Sequence, residues 1–471
     1  MTVMLLSFFI YINISSCMTV GPDYVKVEPE AAVSWNIPLE GGLNADSPNP
    51  ETMVAWWEAL NDQGLSSIEM RAVKGNLDLK KARSRIYEAR ALRGMSNANF
   101  FPLMDGGASA GKYRTSENNG GGDENSLYTA GFDAGWELDI FGGIRRLVEA
   151  ADAEIEVAQS SLHYALVTLQ AEVAMNYVEV RTFQKRLAIA ETNSKIQQKI
   201  LDLNRSRRKA GLINELVIQE SLYTLEHTRS VIPSLQTGLD AAKNRLAILL
   251  GETPGSVHGE LKIRRLIPVP PVTIAVGLPA ETLRRRPDVR QAERNLAAMT
   301  ARVGVATADL YPKFRLFGTM GLESISSGDF LTNASRTWSL GPGISWNIFH
   351  GGALRQKIKL QSARQEQSLI QYEKTVLKAL EEVENILTAY AKEQHRQKSL
   401  KTATTAANRA YELALDLYKA GLVDFSNVLT AQYAMHNLQD KLALSKGSIT
   451  LNFISLYKAL GGGWSYGPSH K

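Results

Sequence analysis

The chain repeats itself at a spacing of 210 residues. Gly94 recurs as Gly304, Phe101-Pro102 as Tyr311-Pro312 and Trp136 as Trp346. Ala210-Gly211-Leu212 recurs as Ala420-Gly421-Leu422, and Leu250-Gly251 as Leu460-Gly461. Landmarks in one register over so long a stretch mean that one structural unit occurs twice, over residues 65–251 and 279–461. A unit of this length does not stack as the ~20–50-residue repeats of a solenoid do. Any fold for the 471 residues must therefore hold two equivalent halves.

Within each unit the hydrophobic period changes in the same order. A helical stretch comes first, Leu65 to Asn97 and Pro279 to Asp309. Two strand segments follow. From Tyr128 to Ile140, Tyr128, Phe132, Trp136 and Leu138 alternate with Thr129, Asp133, Gly135 and Glu137. In the second copy Trp338, Leu340, Ile344, Trp346 and Ile348 alternate with Thr337, Ser339, Gly343, Ser345 and Asn347. A period of two gives each strand one apolar and one polar face. The partner segments are Leu103 to Tyr113, mostly small residues, and Phe314 to Glu323; Gly/Asn/Ser-rich loops join each pair into a hairpin. Then come long stretches rich in Ala, Glu, Gln, Lys and Leu, without proline from Gly143 to Leu212 or from Gly352 to Leu422. Helices of that length reach roughly 95–100 Å. The chain turns back at Gly211 and Gly421, each suited to the position just past a helix C-terminus.

Composition removes several readings. Past residue 16 there is no apolar run of the ~18 residues that a membrane-spanning helix needs. The net charge of +5, from 53 basic and 48 acidic residues, is too small to imply nucleic acid. Seven scattered histidines with no His-x-x-x-His pair, and one cysteine, leave no metal site and no disulfide framework. Gly120-Gly121-Gly122 and Gly461-Gly462-Gly463 lack the Lys-Ser/Thr of a phosphate loop. Arg284-Arg285-Arg286 opens an amphipathic helix and reads as solvated surface. We expect no enzyme, no catalytic residue and no cofactor.

The strand faces point to a membrane. Four strands are too few to close a transmembrane barrel, whose minimum is about eight, and open edges cannot sit in lipid. The chain must close its sheet with other copies, two copies giving eight strands and three giving twelve. A water-filled pore favours twelve, since side chains fill a barrel of about eight strands. The apolar faces then meet lipid, and Trp136, Trp338 and Trp346 suit the membrane interfaces. At the start of the chain, residues 1–16 read as a signal peptide, and Ile14-Ser15-Ser16-Cys17 fits a bacterial lipobox with Cys17 as the lipidated (palmitate-bearing) residue. Met18 in place of Asp leaves outer-membrane sorting as the default.

These segments resemble the outer membrane factor (TolC-like) family, in its lipidated branch serving resistance-nodulation-division efflux pumps. The resemblance rests on Cys17 with Gly21-Pro22-Asp23-Tyr24, on Trp56-Trp57 with Asp62 and Leu65, and on Asn76-Leu77-Asp78-Leu79. It continues through Trp136-Glu137-Leu138-Asp139-Ile140-Phe141-Gly142, Arg286-Pro287-Asp288-Val289, Trp346-Asn347-Ile348-Phe349 and Tyr418-Lys419-Ala420-Gly421. It implies an α+β membrane protein, a homotrimer with a twelve-stranded β-barrel continued by a long periplasmic α-helical barrel. It further implies a lipid-anchored N-terminal segment over 17–64, an equatorial linker over 252–278 and a C-terminal tail over 462–471. The function implied is the outer membrane exit duct of a tripartite efflux pump, passing small toxic compounds. Its partners would be a periplasmic adaptor, an inner-membrane resistance-nodulation-division transporter and outer membrane lipid. The family constricts at the periplasmic helix tip. Here the frequent Leu-Asp-Ala-Gln reads Leu429-Thr430-Ala431-Gln432, so the acidic residue is missing, and Asp424, Asn427 and Thr430 are the expected lining. An equal reading makes Asp424 the favourable negative charge at a helix start. Two other functions share parts of this architecture: the duct of a type I protein secretion system and a pore-free periplasmic coiled-coil scaffold.

Overall fold

The computed structural model describes residues 19–28 and 32–465; the leader over 1–16, Cys17 and residues 466–471 lie outside the described residues. The duplication shows element by element. The first copy runs α1 (Gln63–Gly75), α2 (Leu77–Ala98), β1 (Leu103–Arg114), β2 (Glu124–Leu138), α3 (Gly143–Lys209) and α4 (Glu215–Leu249). The second runs α5 (Pro279–Arg285), α6 (Pro287–Ala308), β3 (Lys313–Ser324), β4 (Arg336–Ser345), α7 (Ala353–Lys419) and α8 (Phe425–Ala459). A shift of 210 residues lays α2 on α6, β1 on β3, α3 on α7 and α4 on α8, end for end. Helices α3 and α7 have 67 residues each, about 100 Å along the axis at ~1.5 Å per residue.

The helical stretch expected from Leu65 to Asn97 is in fact broken once, and so is its counterpart. At Arg286 the cause is Pro287, which pushes the preceding residue out of the helical region (φ −69, ψ 122). No proline follows Asn76. There the side chain breaks the helix: its Oδ1 accepts from Leu79 N at 3.0 Å while its Nδ2 donates to Leu249 O at 2.9 Å. Arg286 makes the matching contact, its guanidinium donating to Ala459 O at 2.8 Å. Leu249 and Ala459 are 210 residues apart, so unlike residues hold the same joint.

The chain divides into two compact units. The first contains the sheet. Its order is β1-β2-β3-β4, antiparallel throughout, with β1 and β4 as free edges. The register sets Phe132 and Trp338 on either side of Met320, and Trp136 opposite Leu316. Strand alternation therefore gathers the apolar side chains on one face. They lie bare to solvent in the single chain, Met320 at 72% and Trp338 at 77% exposure. The other face is mainly polar, though Leu103, Leu127 and Phe317 also lie on it: Ser109 bonds Thr129 at 2.7 Å, Thr319 bonds Ser339 at 2.8 Å, and Arg315 meets Glu137 at 3.1 Å.

In the same unit, residues 19–28 form a strap buckled to the start of α3. Buried Arg146 donates to Val20 O at 3.2 Å, Gly21 O at 3.3 Å and the Asp23 carboxylate at 2.6 Å. Val20 N donates to Phe141 O at 3.1 Å. Gly21 has φ +92, and a Cβ there would lie 2.4 Å from the Cα of Gly304.

The second unit has its own core. Trp56 stacks on Tyr457 at 5.9 Å and meets Phe453 edge-on. Tyr177 donates to Asp62 at 2.9 Å, and the Arg181 guanidinium lies 4.6 Å over its ring. Leu43–Asn44 pairs in parallel with Ile274–Ala275, which joins the two segments outside the repeats. One side chain in this unit stands out energetically. Glu69 on α1 is 1% exposed, neither carboxylate oxygen has a hydrogen-bond partner, and burial holds its pKa well above the ordinary carboxyl range.

Candidate functional site

The helix reversals are built alike. Gly211 (φ +74) and Gly421 (φ +76) occupy the left-handed region that favours glycine. At the first, Leu212 N donates to Arg207 O at 2.9 Å and Gly211 N to Arg208 O at 3.0 Å; at the second, Leu422 N donates to Leu417 O at 2.9 Å and Gly421 N to Tyr418 O at 3.0 Å. This is the Schellman pattern, which satisfies carbonyls that a helix end would leave unpaired. Each return helix is then started by a residue three positions on. Asn214 caps α4 with its side chain, accepting from Val217 N at 3.3 Å. Asp424 occupies the N-cap of α8, but its carboxylate caps no backbone N–H.

Asp424, Asn427 and Thr430 are all exposed and stand at helical spacing on one stretch of α8. Asn427 and Thr430 bond only within that helix: Thr430 donates to Ser426 O at 2.9 Å and Asn427 Nδ2 approaches Asp424 O at 3.5 Å. They tie no helices together.

Other residues do. Tyr418 donates to Asn204 Oδ1 at 2.9 Å, and Asn204 donates to Ser221 Oγ at 2.8 Å, linking α7, α3 and α4 through three buried side chains. Arg207 donates to Tyr418 O at 3.0 Å with its guanidinium 4.6 Å over the tyrosine ring. Tyr418 also packs on Phe425 at 5.2 Å, within an apolar cluster that includes Ile200, Tyr411, Val428 and Met435. Further along, Arg186 clasps Asp440 at 2.7 and 3.1 Å, and Gln197 meets His436 at 3.4 Å. Burial lowers the His436 pKa to about 4, so this contact is between neutral groups at neutral pH.

Motif reading singles out the exposed residues and passes over Asn204, Tyr418 and Ser221 as linkers. The repeat carries the missing signal. Tyr418 stands where the first copy has Arg208, and Asn204 where the second has Ala414. These are places where the two copies differ.

In the first unit, the tryptophans occupy matched positions. Trp136 Nε1 donates to Phe100 O at 2.8 Å and Trp346 Nε1 to Leu310 O at 3.0 Å, each crossing to the loop after its preceding helix. Trp338 sits eight residues before Trp346, about 26 Å of extended chain at ~3.3 Å per residue, which at the ~35–45° strand tilt of outer membrane barrels is roughly 20 Å of height within their ~25 Å apolar band. Among the described residues no group of three or more His, Cys, Asp or Glu is placed to hold a metal, and no helix is long and apolar enough to cross a membrane.

A family model described as "Outer membrane efflux protein" matches the chain twice, over residues 70–252 and 278–462, once per repeat. The chain is 30% identical over 462 residues to "Nodulation protein T" of Rhizobium leguminosarum bv. trifolii, covering 97% of both. It is 30% identical over 474 residues to "Toluene efflux pump outer membrane protein TtgI" of Pseudomonas putida, covering 98% of both. Among solved structures, the outer-membrane channel OprN aligns at TM-score 0.89 and 35% identity, over 95% of this chain and 99% of that one.

Proposed function

The chain belongs to the outer membrane efflux protein family, and on that premise we propose that it serves as the exit duct of a tripartite efflux pump, working as a homotrimer. It is an outer membrane efflux channel with the fold of its solved relatives. The observation that carries the finer reading is the sheet of four strands, free at both edges, with one apolar and one polar face. Such edges would leave backbone groups unsatisfied in lipid, and three copies remove every edge by closing about twelve strands around water. The apolar face then meets lipid, with Trp136 and Trp346 at one interface and Trp338 at the other. The polar face lines the passage.

Helices α3, α4, α7 and α8 from three copies make the periplasmic tube, with the reversals at Gly211 and Gly421 at its tip. Asp424, Asn427 and Thr430, exposed on α8, line the entrance, and the contacts of Asn204, Arg207 and Tyr418 hold it closed at rest. Cys17 carries lipid, two residues before the strap that begins at Thr19. A periplasmic adaptor and an inner-membrane resistance-nodulation-division transporter complete the pump, and the transporter selects small toxic compounds. Relatives carry names such as "Toluene efflux pump outer membrane protein" and "Cation efflux system protein".

Deletion of the gene tests this reading. The expected result is increased sensitivity to several small toxic compounds, restored by the intact gene, with secreted proteins unchanged. Unchanged sensitivity together with the loss of a secreted protein would replace efflux with secretion. Metabolic labelling with palmitate checks Cys17, and label retained by Cys17→Ser would refute that assignment.

A further inference from the structure

The linker between the repeats carries an apolar face that its own chain leaves bare. Residues 264–271 belong to no helix or strand, and Pro268, Pro270 and Pro271 hold φ near the polyproline value there while offering no N–H to a neighbour. Leu266, Val269 and Val272 follow at intervals of three, the repeat of a polyproline II turn, and are 83%, 75% and 88% exposed. The wall they form is fixed along its length. Ile267 is buried, Thr450 on α8 donates to Pro268 O at 2.7 Å, and Ile274 N donates to Gly42 O at 2.9 Å. A Cβ on Gly42 (φ +88) would lie 1.9 Å from Val272 O, so the chain beside this end of the wall accepts only glycine.

This wall closes one side of a groove of about 620 Å³ that lies wholly within the second unit. That volume is in the range of small-molecule sites. Its floor is helical, with Lys185 from α3, Gln394 from α7, and Lys446 and Ile449 from α8. Helices α3 and α8 touch here, since a Cβ on Gly447 would lie 2.5 Å from Thr182 Oγ1. Lys185, one turn beyond Thr182, and Lys446, beside Gly447, therefore bring two ammonium groups to the same groove. Among the described residues neither has an acidic partner, and no Asp or Glu lines the groove. Cations close by in sequence are paired: Arg186 with Asp440 at 2.7 Å, Lys392 with Glu40 at 3.6 Å and Arg396 with Glu393 at 2.9 Å.

We infer that the groove binds a small amphiphilic organic carboxylate taken from the surrounding water. The head sits between Lys185 and Lys446, and the apolar body lies against Leu266, Val269, Val272 and Ile449. Charge and surface select this occupant together. A hydrophilic anion would leave the apolar wall bare, an uncharged amphiphile would leave two ammonium groups unmatched, and a cation would meet like charge with no acid to offset it. The bound carboxylate ties the linker to α3, α7 and α8 beside the Arg186–Asp440 clasp. The inference goes beyond the duct reading and holds whichever pump or secretion system the duct serves.

Saturation-transfer NMR with octanoate tests this on the full-length protein in neutral phosphatidylcholine nanodiscs, with empty nanodiscs as background. Octanamide supplies the same tail without the charge. Lys185→Gln combined with Lys446→Gln removes both ammonium groups at exposed positions, where the fold does not depend on them. The expected result is saturable octanoate binding, roughly 2–30-fold weaker for octanamide and for the double variant, the range that two part-exposed charge contacts give. In the unsubstituted protein acetic anhydride should acetylate Lys185 and Lys446, read by mass spectrometry, and octanoate should slow both reactions. Equal binding of octanamide, or a double variant that binds like the parent, would reduce the effect to partition onto an apolar surface and overturn the site. No saturable binding at all overturns it as well. Lysines that react only after the oligomer is dissociated would assign the groove to a neighbouring copy and likewise overturn the proposal. Each of these results leaves the duct reading standing, because that reading is decided separately by the sensitivity of the deletion strain.

Discussion

Replacing Tyr418 by phenylalanine isolates one contact of the proposed gate. The ring stays, and with it the packing on Phe425 and the Arg207 guanidinium 4.6 Å above it. Arg207 also keeps its bond to the Tyr418 backbone carbonyl. What disappears is the hydroxyl that donates to Asn204 Oδ1 at 2.9 Å, leaving a fully buried acceptor without that donor. Losing a buried partner in this way costs about 1–3 kcal/mol. If opening separates α7 from α3 at this level, the open state never had the bond, and the whole cost falls on the closed state. The closed-to-open equilibrium then shifts about 5–150-fold per copy. Single-channel recording in planar bilayers reads this directly: the unmodified trimer is expected to conduct poorly, and the Tyr418→Phe trimer to open far more often at unchanged full conductance. A variant that melts earlier but gates like the parent would refute the reasoning, because the bond would then be equally present in both states. Full conductance in the unmodified trimer would remove the resting gate altogether.

Glu69 makes stability pH-dependent, because its raised pKa keeps it protonated in the folded chain while the unfolded chain ionises near the ordinary value of 4.5. Its contribution is complete below that value and is lost as pH rises toward the folded value, by at most ~1.4 kcal/mol per pH unit; Glu69→Gln should flatten thermal melts collected between pH 5 and 8, and an unchanged slope would count against it. Gly421→Ala meets open space but must adopt φ +76, a strain of about 1–2 kcal/mol that a lower melting temperature reports. Arg146→Ala releases the strap at Val20, Gly21 and Asp23, so proteolysis of folded protein should nick residues 19–28 several-fold faster than in the parent.

The sequence was legible wherever one periodicity ruled. Two long helices per repeat, their reversals and the second strand of each hairpin follow from spacing and glycine alone, and the structure agrees within a few residues. The break at Asn76 escaped because nothing local forces it: a side chain reaching the carbonyl of Leu249, far away in sequence, makes the joint. The buckle of Arg146 onto residues 20–23 escaped for the same reason. A motif singles out Asp424, Asn427 and Thr430 beside the second reversal, and the structure finds them exposed and unlinked to other helices. The linkers were hidden because a tyrosine and an asparagine in long polar helices look like ordinary surface until the helices are set side by side.

Agreement and disagreement between the two copies separate construction from control. The Trp136 and Trp346 bonds to backbone carbonyls, the Ser109–Thr129 and Thr319–Ser339 rungs and the paired Schellman turns occur twice in matched positions. Contacts repeated in this way suit a wall whose segments must be interchangeable around a ring. The Tyr418–Asn204 bond occurs once, because the shift replaces its partners by Arg208 and Ala414. Arg186–Asp440 is likewise unmatched, its counterparts being Arg396 and Ser230. In a trimer, seams within a copy would therefore be bonded at the tip while seams between copies lack the same bonds. A ring of six equivalent seams would have to open all of them together, whereas two kinds of seam let alternate helix pairs move while the rest hold. The duplication thus supplies a uniform barrel, and its local failures at Asn204 and Tyr418 supply the place where that uniformity is broken.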